Sequence, residues 1–138
     1  MLKRILFICT GNSARSIMAE VLMNHLGGRK YQVFSAGAVP AGIVNPMTIR
    51  VLMEHGHDTS SLCSKPLDEF IDEDFDVVIT VCEEAKEACP VWPKKTRVLH
   101  WSFEDPAAFG GPEKERRAFF EKIYGQIEER ISKFLRRG

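Results

Sequence analysis

The chain has 138 residues, 44% of them apolar and 28% charged, enough for one globular domain with a real core. Nineteen basic and nineteen acidic residues cancel, so the formal net charge is zero, which argues against nucleic acid as the main partner. No stretch approaches the length of a membrane span, and the apolar run after Met1-Leu2-Lys3-Arg4 is too short for a signal peptide, so a soluble cytoplasmic protein is expected.

Taken in order, Ile5 to Ile8 is an apolar run that reads as a buried strand. The polar stretch Cys9-Thr10-Gly11-Asn12-Ser13-Ala14-Arg15-Ser16 follows, and a helix is expected from about Ala14 to Leu26, stopped at Gly27-Gly28. A second strand spans Tyr31 to Ala36, and Val39 to Val44 is loop. Asn45-Pro46 is an N-cap with proline in the first turn, opening a helix over Met47 to His55 that Gly56 ends. Asp58 to Pro66 is irregular, and Leu67 to Asp74 is a short acidic helix or turn. Phe75 to Val81 is a third strand, apolar enough to be buried on both faces, ending at Cys82. Glu83 to Ala88 is helix-prone, and Cys89-Pro90 closes it. Arg97 to Trp101 is a fourth strand, followed by a loop rich in glycine and proline from Ser102 to Pro112. In the last helix, from about Pro112 to Leu135, Phe120, Ile123, Ile127, Ile131 and Phe134 recur every three or four positions.

Strand and helix alternate throughout, which predicts an α/β fold: a single domain over residues 1–138, a three-layer sandwich in which a four-stranded parallel sheet carries helices on both sides. Ligands bind such sheets beyond the C-terminal strand ends. Cys9, Cys82 and the loop after Trp101 all fall on that rim.

The stretch from Thr10 to Ser16 suits an oxyanion. Backbone N–H groups converge in a tight loop at a helix N-terminus, where the helix dipole adds positive potential. Gly11 admits a close backbone approach, Asn12 tolerates a left-handed conformation, and Arg15 offers a planar fork to two oxygens. A thiol placed there is favoured as the nucleophilic thiolate, with the Ser16 hydroxyl as a donor to the sulfur. Read alone, Cys9 would be a small buried hydrophobe; with Arg15 and Ser16 at this spacing it reads as a nucleophile beneath a bound oxyanion.

Four cysteines in a cytoplasmic chain are not expected to form structural disulfides, and they lack metal-ligand spacing. Cys82 and Cys89 lie seven residues apart. A helix would hold them about 10 Å apart, beyond the roughly 7 Å that a disulfide spans. They are either two unrelated buried thiols or a switch whose intervening segment loops out on oxidation, and Cys9 on the same rim favours the switch. Asp105 is either a general acid for a leaving oxygen or the cap of a turn, as Asp-Pro commonly supplies.

The loop from Cys9 to Ser16 resembles the phosphate loop of the low-molecular-weight protein tyrosine phosphatases. Three further stretches resemble the thioredoxin-coupled arsenate reductases that share their fold: Ser35-Ala36-Gly37, the pair Cys82 and Cys89-Pro90, and His100-Trp101-Ser102-Phe103-Glu104-Asp105-Pro106-Ala107. That resemblance implies reduction of arsenate to arsenite as arsenic detoxification, with phosphate or sulfate as substrate analogues. It implies Cys9 as nucleophile, Asp105 as acid, a Cys9–Cys82 disulfide on arsenite release, and then a Cys82–Cys89 disulfide reduced by thioredoxin. No cofactor or metal is needed on the chain, and a monomer is expected. The alternatives are a phosphatase acting on phosphotyrosine or small phosphate esters, and a redox sensor or oxyanion-binding module without turnover. Some relatives bind potassium near the loop through Asn, Glu, Ser and Asp side chains. Asn12, Glu20 and Ser35 match, but Lys65 stands where the Asp would be, and its ammonium is expected to replace the ion. Cys63 matches nothing and reads as a spectator.

Overall fold

A computed structural model of the chain describes residues 2–83 and 90–137. Its sheet is formed by β1 (Lys3–Cys9), β2 (Tyr31–Gly37), β3 (Val77–Thr80) and β4 (Arg97–His100), in the order β2-β1-β3-β4. All three pairings are parallel. The helices are α1 (Arg15–Gly27), α2 (Pro46–Glu54) and α3 (Glu113–Arg136). This is the expected α/β architecture with a four-stranded parallel sheet.

The two faces are covered differently. Ile5, Phe7, Val77 and Ile79 pack with all three helices, including Leu22 of α1, Leu52 of α2 and Phe120, Ile123, Ile127 and Ile131 of α3. The spacing of those α3 residues puts one apolar stripe into the core, and each fully buried side chain contributes roughly 1.5–3 kcal/mol. On the other face, Leu6, Ile8 and Val78 meet Phe70, Phe75 and Trp92 from turns and connecting segments. The acidic stretch after Pro66 is a single 3-10 turn, Leu67–Glu69. The helix-prone Glu84 to Ala88 and Cys89 lie outside the described residues.

Several local expectations hold in detail. Asn45 caps α2, its Oδ1 accepting from the Met47 N–H at 2.9 Å with Pro46 in the first turn. Strand β3 is shorter than the apolar run suggested, but buried throughout. Among the described residues no helix is long and apolar enough to cross a membrane.

Sheet order decides what stands at the functional rim. Cys9 pairs with Gly37, and Ile8 with both Ala36 and Thr80. Thr80 pairs with His100. Cys9, Gly37, Cys82 and the loop after β4 therefore lie along one edge, from four well-separated parts of the chain.

Candidate active site

Residues 9–16 wrap from the end of β1 into α1, and the segment beside them sets the loop's polarity. The carbonyls of Cys9, Thr10, Gly11 and Ser13 accept from the N–H groups of Ala38, Val39, Ala41 and Asn45, at 2.9–3.1 Å. Ser13 also accepts from the Thr48 hydroxyl at 2.9 Å, and Gly11 from the Ser64 hydroxyl at 3.1 Å. With these carbonyls drawn outward, the amides of the same peptide planes face the concave side. No side chain caps α1, whose N-cap position is Ala14, and the N-terminus of a helix favours an anion.

Cys9 is buried at the centre of this loop. Its Sγ accepts from the Asn12 N–H at 3.2 Å and lies 2.8 Å from Ser16 Oγ. Asn12 adopts φ +48°, the left-handed conformation that its short amide tolerates. Its Nδ2 donates to Ser16 Oγ at 2.8 Å and to Ser35 Oγ at 3.0 Å, and its Oδ1 accepts from the Lys65 N–H at 2.7 Å. The Ser35 hydroxyl donates to Glu20 Oε1. Lys65 Nζ stands 3.8 Å from the same Glu20 oxygen and donates to the Cys63 carbonyl at 2.7 Å. The three residues matched by resemblance to an ion site, Asn12, Glu20 and Ser35, thus do converge, with the Lys65 ammonium beside them. Burial raises Glu20 above the usual carboxylate range, opposed by the Ser35 hydrogen bond and the Lys65 charge.

Arg15 is almost wholly buried, 3% exposed, and its Nη1 donates to the Phe103 carbonyl at 3.2 Å. Its Nη2 lies 3.7 Å from Asp105 Oδ2. Asp105 Oδ1 meanwhile accepts from the Ala107 N–H at 3.0 Å, capping the 3-10 turn Pro106–Ala108. The two readings of Asp105 are therefore compatible: one oxygen caps, and the other faces the arginine of the loop. Over the loop opens a cleft of about 480 Å³, lined by Thr10, Gly11, Glu104, Asp105, Phe109 and Phe119 among others. Cys82 is buried just beyond β3 and is disulfide-bonded, whereas Cys9 and Cys63 are free thiols. Cys89 lies outside the described residues.

One contribution escaped the sequence reading. The glycine required by tight packing within the chain is Gly37, not Gly11. A Cβ on Gly37 would stand 2.7 Å from the Thr10 carbonyl oxygen, whereas one on Gly11 would meet only Ser13 Oγ at 3.6 Å. The loop after β2 is the scaffold of the phosphate-type loop, and the glycine ending an apolar strand was the available signal. Among the described residues no group of three or more His, Cys, Asp or Glu side chains could hold a metal ion.

A parallel α/β sheet carrying a buried cysteine in an amide-lined loop, with an arginine six residues on and an aspartate facing it, defines a phosphatase-type oxyanion site. Residues 4–137 match the low molecular weight phosphotyrosine protein phosphatase family, and the chain belongs to it. Within that family its similarity lies with arsenate reductases. It is 40% identical to the arsenate reductase of Bacillus licheniformis, over 99% of this chain and 97% of that protein. A solved arsenate reductase in its oxidized state superposes with a TM-score of 0.78 at 32% identity, covering 96% of this chain and 95% of that one. A thioredoxin-dependent arsenate reductase of Corynebacterium glutamicum superposes with a TM-score of 0.73 at 29% identity, covering 98% of this chain and 61% of the longer one.

Proposed function

We propose that this protein reduces arsenate to arsenite, with Cys9, Cys82 and Cys89 as a thiol relay and thioredoxin as the reductant. The observation that carries the reading is Cys9 Sγ, held by the Asn12 N–H and Ser16 in an anion-type loop, with Cys82 at the end of the adjoining strand. A phosphatase needs the loop but has no use for the second cysteine. The names of the relatives support the same choice over ester hydrolysis.

The amides of residues 10–16 and the Arg15 guanidinium hold the tetrahedral oxyanion over the sulfur. The Cys9 thiolate attacks arsenic(V), forming an S–As bond, and one oxygen departs as water after protonation by Asp105. The Cys82 thiolate then attacks Cys9 Sγ. The S–As bond breaks with its electron pair left on arsenic, so arsenic(III) leaves as arsenite and a Cys9–Cys82 disulfide remains. The Cys89 thiolate attacks Cys82, Cys9 is released as thiolate, and the oxidation rests on a Cys82–Cys89 disulfide. A thioredoxin dithiol reduces that bond, as cytoplasmic conditions favour. Two thiols supply the two electrons that arsenic gains. The state of Cys82 in the structure supports its role as the pivot of the relay. The monomer is the working unit in this scheme, since every reacting group comes from one chain.

The test is NADPH oxidation coupled through thioredoxin and thioredoxin reductase and started with arsenate, in wild type, Cys82→Ser and Cys89→Ser. Sustained turnover lost in both variants is expected, with aryl phosphate hydrolysis nearly intact in Cys82→Ser. Aryl phosphate hydrolysis without arsenate turnover in wild type would overturn the reading.

A further inference from the structure

At the opposite end of the sheet from the catalytic loop, a cleft of about 270 Å³ opens between edge strand β4 and the C-terminal half of α3. Its floor is apolar: Ile5 and Val77 are buried and Leu99 is half-buried. One wall is the β4 face bearing Arg97 and Leu99, continued by Trp101 immediately after the strand. The other is the α3 face bearing Arg130, Phe134 and Arg137, whose spacing of four and three puts them on one helical stripe. Lys3, at the start of β1, completes the rim.

The charge around this cleft is of one sign. Lys3, Arg97, Arg130 and Arg137 line it, and among the described residues no carboxylate does. None of these four has an ion-pair partner among the described residues, although most other basic groups near carboxylates, such as Arg4, Arg50, Arg117 and Lys94, are paired. Arg137 also complements the C-terminal end of the α3 dipole, but Lys3 and Arg97 come from strands and Arg130 lies well before the helix end. The Arg130 guanidinium stacks over the Trp101 ring at 4.9 Å, so one cation is fixed against the apolar wall. The Trp101 indole N–H is buried with no hydrogen-bond partner. In a chain with zero formal net charge, four unpaired cations around one apolar cleft concentrate positive potential where a ring or short chain can be buried.

We infer that this cleft is a second binding site, for a small organic anion: an apolar body of one or two rings bearing a carboxylate or phosphate. The body would lie on the half-buried Tyr31, Leu99 and Phe134 beside the Trp101 ring, with its acidic group between the guanidinium groups of Arg97 and Arg130. The volume falls just below the range of about 300–1,000 Å³ typical of sites for drug-sized ligands, which sets the limit of one or two rings. The site is separate from the loop that holds the inorganic oxyanion, so both can be occupied together.

The experiment is a titration of the full chain with 2-naphthoate, followed in proton–nitrogen NMR spectra with inorganic sulfate present to fill the Cys9 loop. The Trp101 indole N–H is the reporter, assigned against a Trp92→Phe variant. A saturable shift of that resonance is expected, at least about tenfold weaker with the uncharged isostere 2-naphthamide and in the Arg97→Gln/Arg130→Gln double variant. Lys3→Gln/Arg137→Gln serves as a second pair on the exposed rim, with a smaller loss expected, should the first pair disturb the fold. No saturable shift with millimolar 2-naphthoate would overturn the inference, as would equal binding of the amide or indifference to both pairs of substitutions.

Discussion

Asn12 donates from Nδ2 to Ser16 Oγ at 2.8 Å, and this orients the Ser16 hydroxyl toward Cys9 Sγ, itself 2.8 Å away. With its oxygen engaged as an acceptor, Ser16 is placed to give its one proton to the sulfur once Cys9 is a thiolate. Ser35 is aligned in the same way, accepting from Asn12 and donating to Glu20. Ser16→Ala should therefore lower arsenate kcat/KM about tenfold while leaving the fold intact, read from steady-state kinetics and thermal melting. Asn12→Ala strands several buried partners and puts alanine at φ +48°, so it should cost roughly 2–4 kcal/mol of stability in denaturant unfolding.

Asp105→Asn keeps an oxygen to cap the turn at Ala107 but cannot deliver a proton. The expected result is a kcat for arsenate lowered roughly 10²–10⁴-fold, with an unchanged melting temperature. KM should not rise, because the substitution removes a negative charge 3.7 Å from the Arg15 guanidinium. A kcat within threefold of wild type would remove Asp105 from the mechanism.

Gly37→Ala tests whether β2 positions the loop. The new methyl would collide with the Thr10 carbonyl oxygen and crowd Asn12, both at 3.0 Å or less. A displacement near 1 Å predicts a loss of about 10²-fold in kcat/KM. The accompanying destabilisation should be about 1–3 kcal/mol, as measured by chemical unfolding.

The Lys65 ammonium stands 3.8 Å from Glu20, where its charge would serve in place of a monovalent ion. Exchanging sodium for potassium at equal ionic strength should leave kcat/KM unchanged, and a several-fold rise in potassium would count against this. Burial raises Glu20, so the folded state holds its proton more tightly than the unfolded state does. Stability should therefore fall as pH rises past the ordinary carboxylate value. Lys65→Met removes the opposing cation and should extend that fall to higher pH, as seen in melting temperature against pH.

His57 gives the opposite slope. Desolvation first, then the neighbouring His25 and His55, lower it below the ordinary histidine value, against a weaker pull from Glu128. The unfolded chain binds a proton that the fold excludes, so stability is complete above about pH 6.5 and declines as pH falls toward the lowered value. The ring accepts from or donates to the Tyr124 hydroxyl at 2.7 Å. His57→Gln can keep that bond and should flatten the acid side of the melting profile.

The succession of elements was legible because each signal is local. The apolar run before Cys9, the Asn45-Pro46 cap and the α3 stripe of Phe120, Ile123, Ile127 and Ile131 depend on residues within a few positions of one another. The loop from Cys9 to Ser16 stood out for the same reason, since the proposed nucleophile, the amides and the arginine are consecutive. By itself, then, the sequence determined a parallel α/β domain with an oxyanion loop at a strand end and a second cysteine on the same rim. What only the tertiary structure decided are the contacts between residues far apart in the chain: Asn12 with Lys65, Gly37 against Thr10, Asp105 serving both its turn and Arg15, and four cations around one apolar cleft. Those depend on the order β2-β1-β3-β4 and on which sheet face each helix covers. Periodicity shows that a residue is buried, but the sheet order and packing determine what it is buried against.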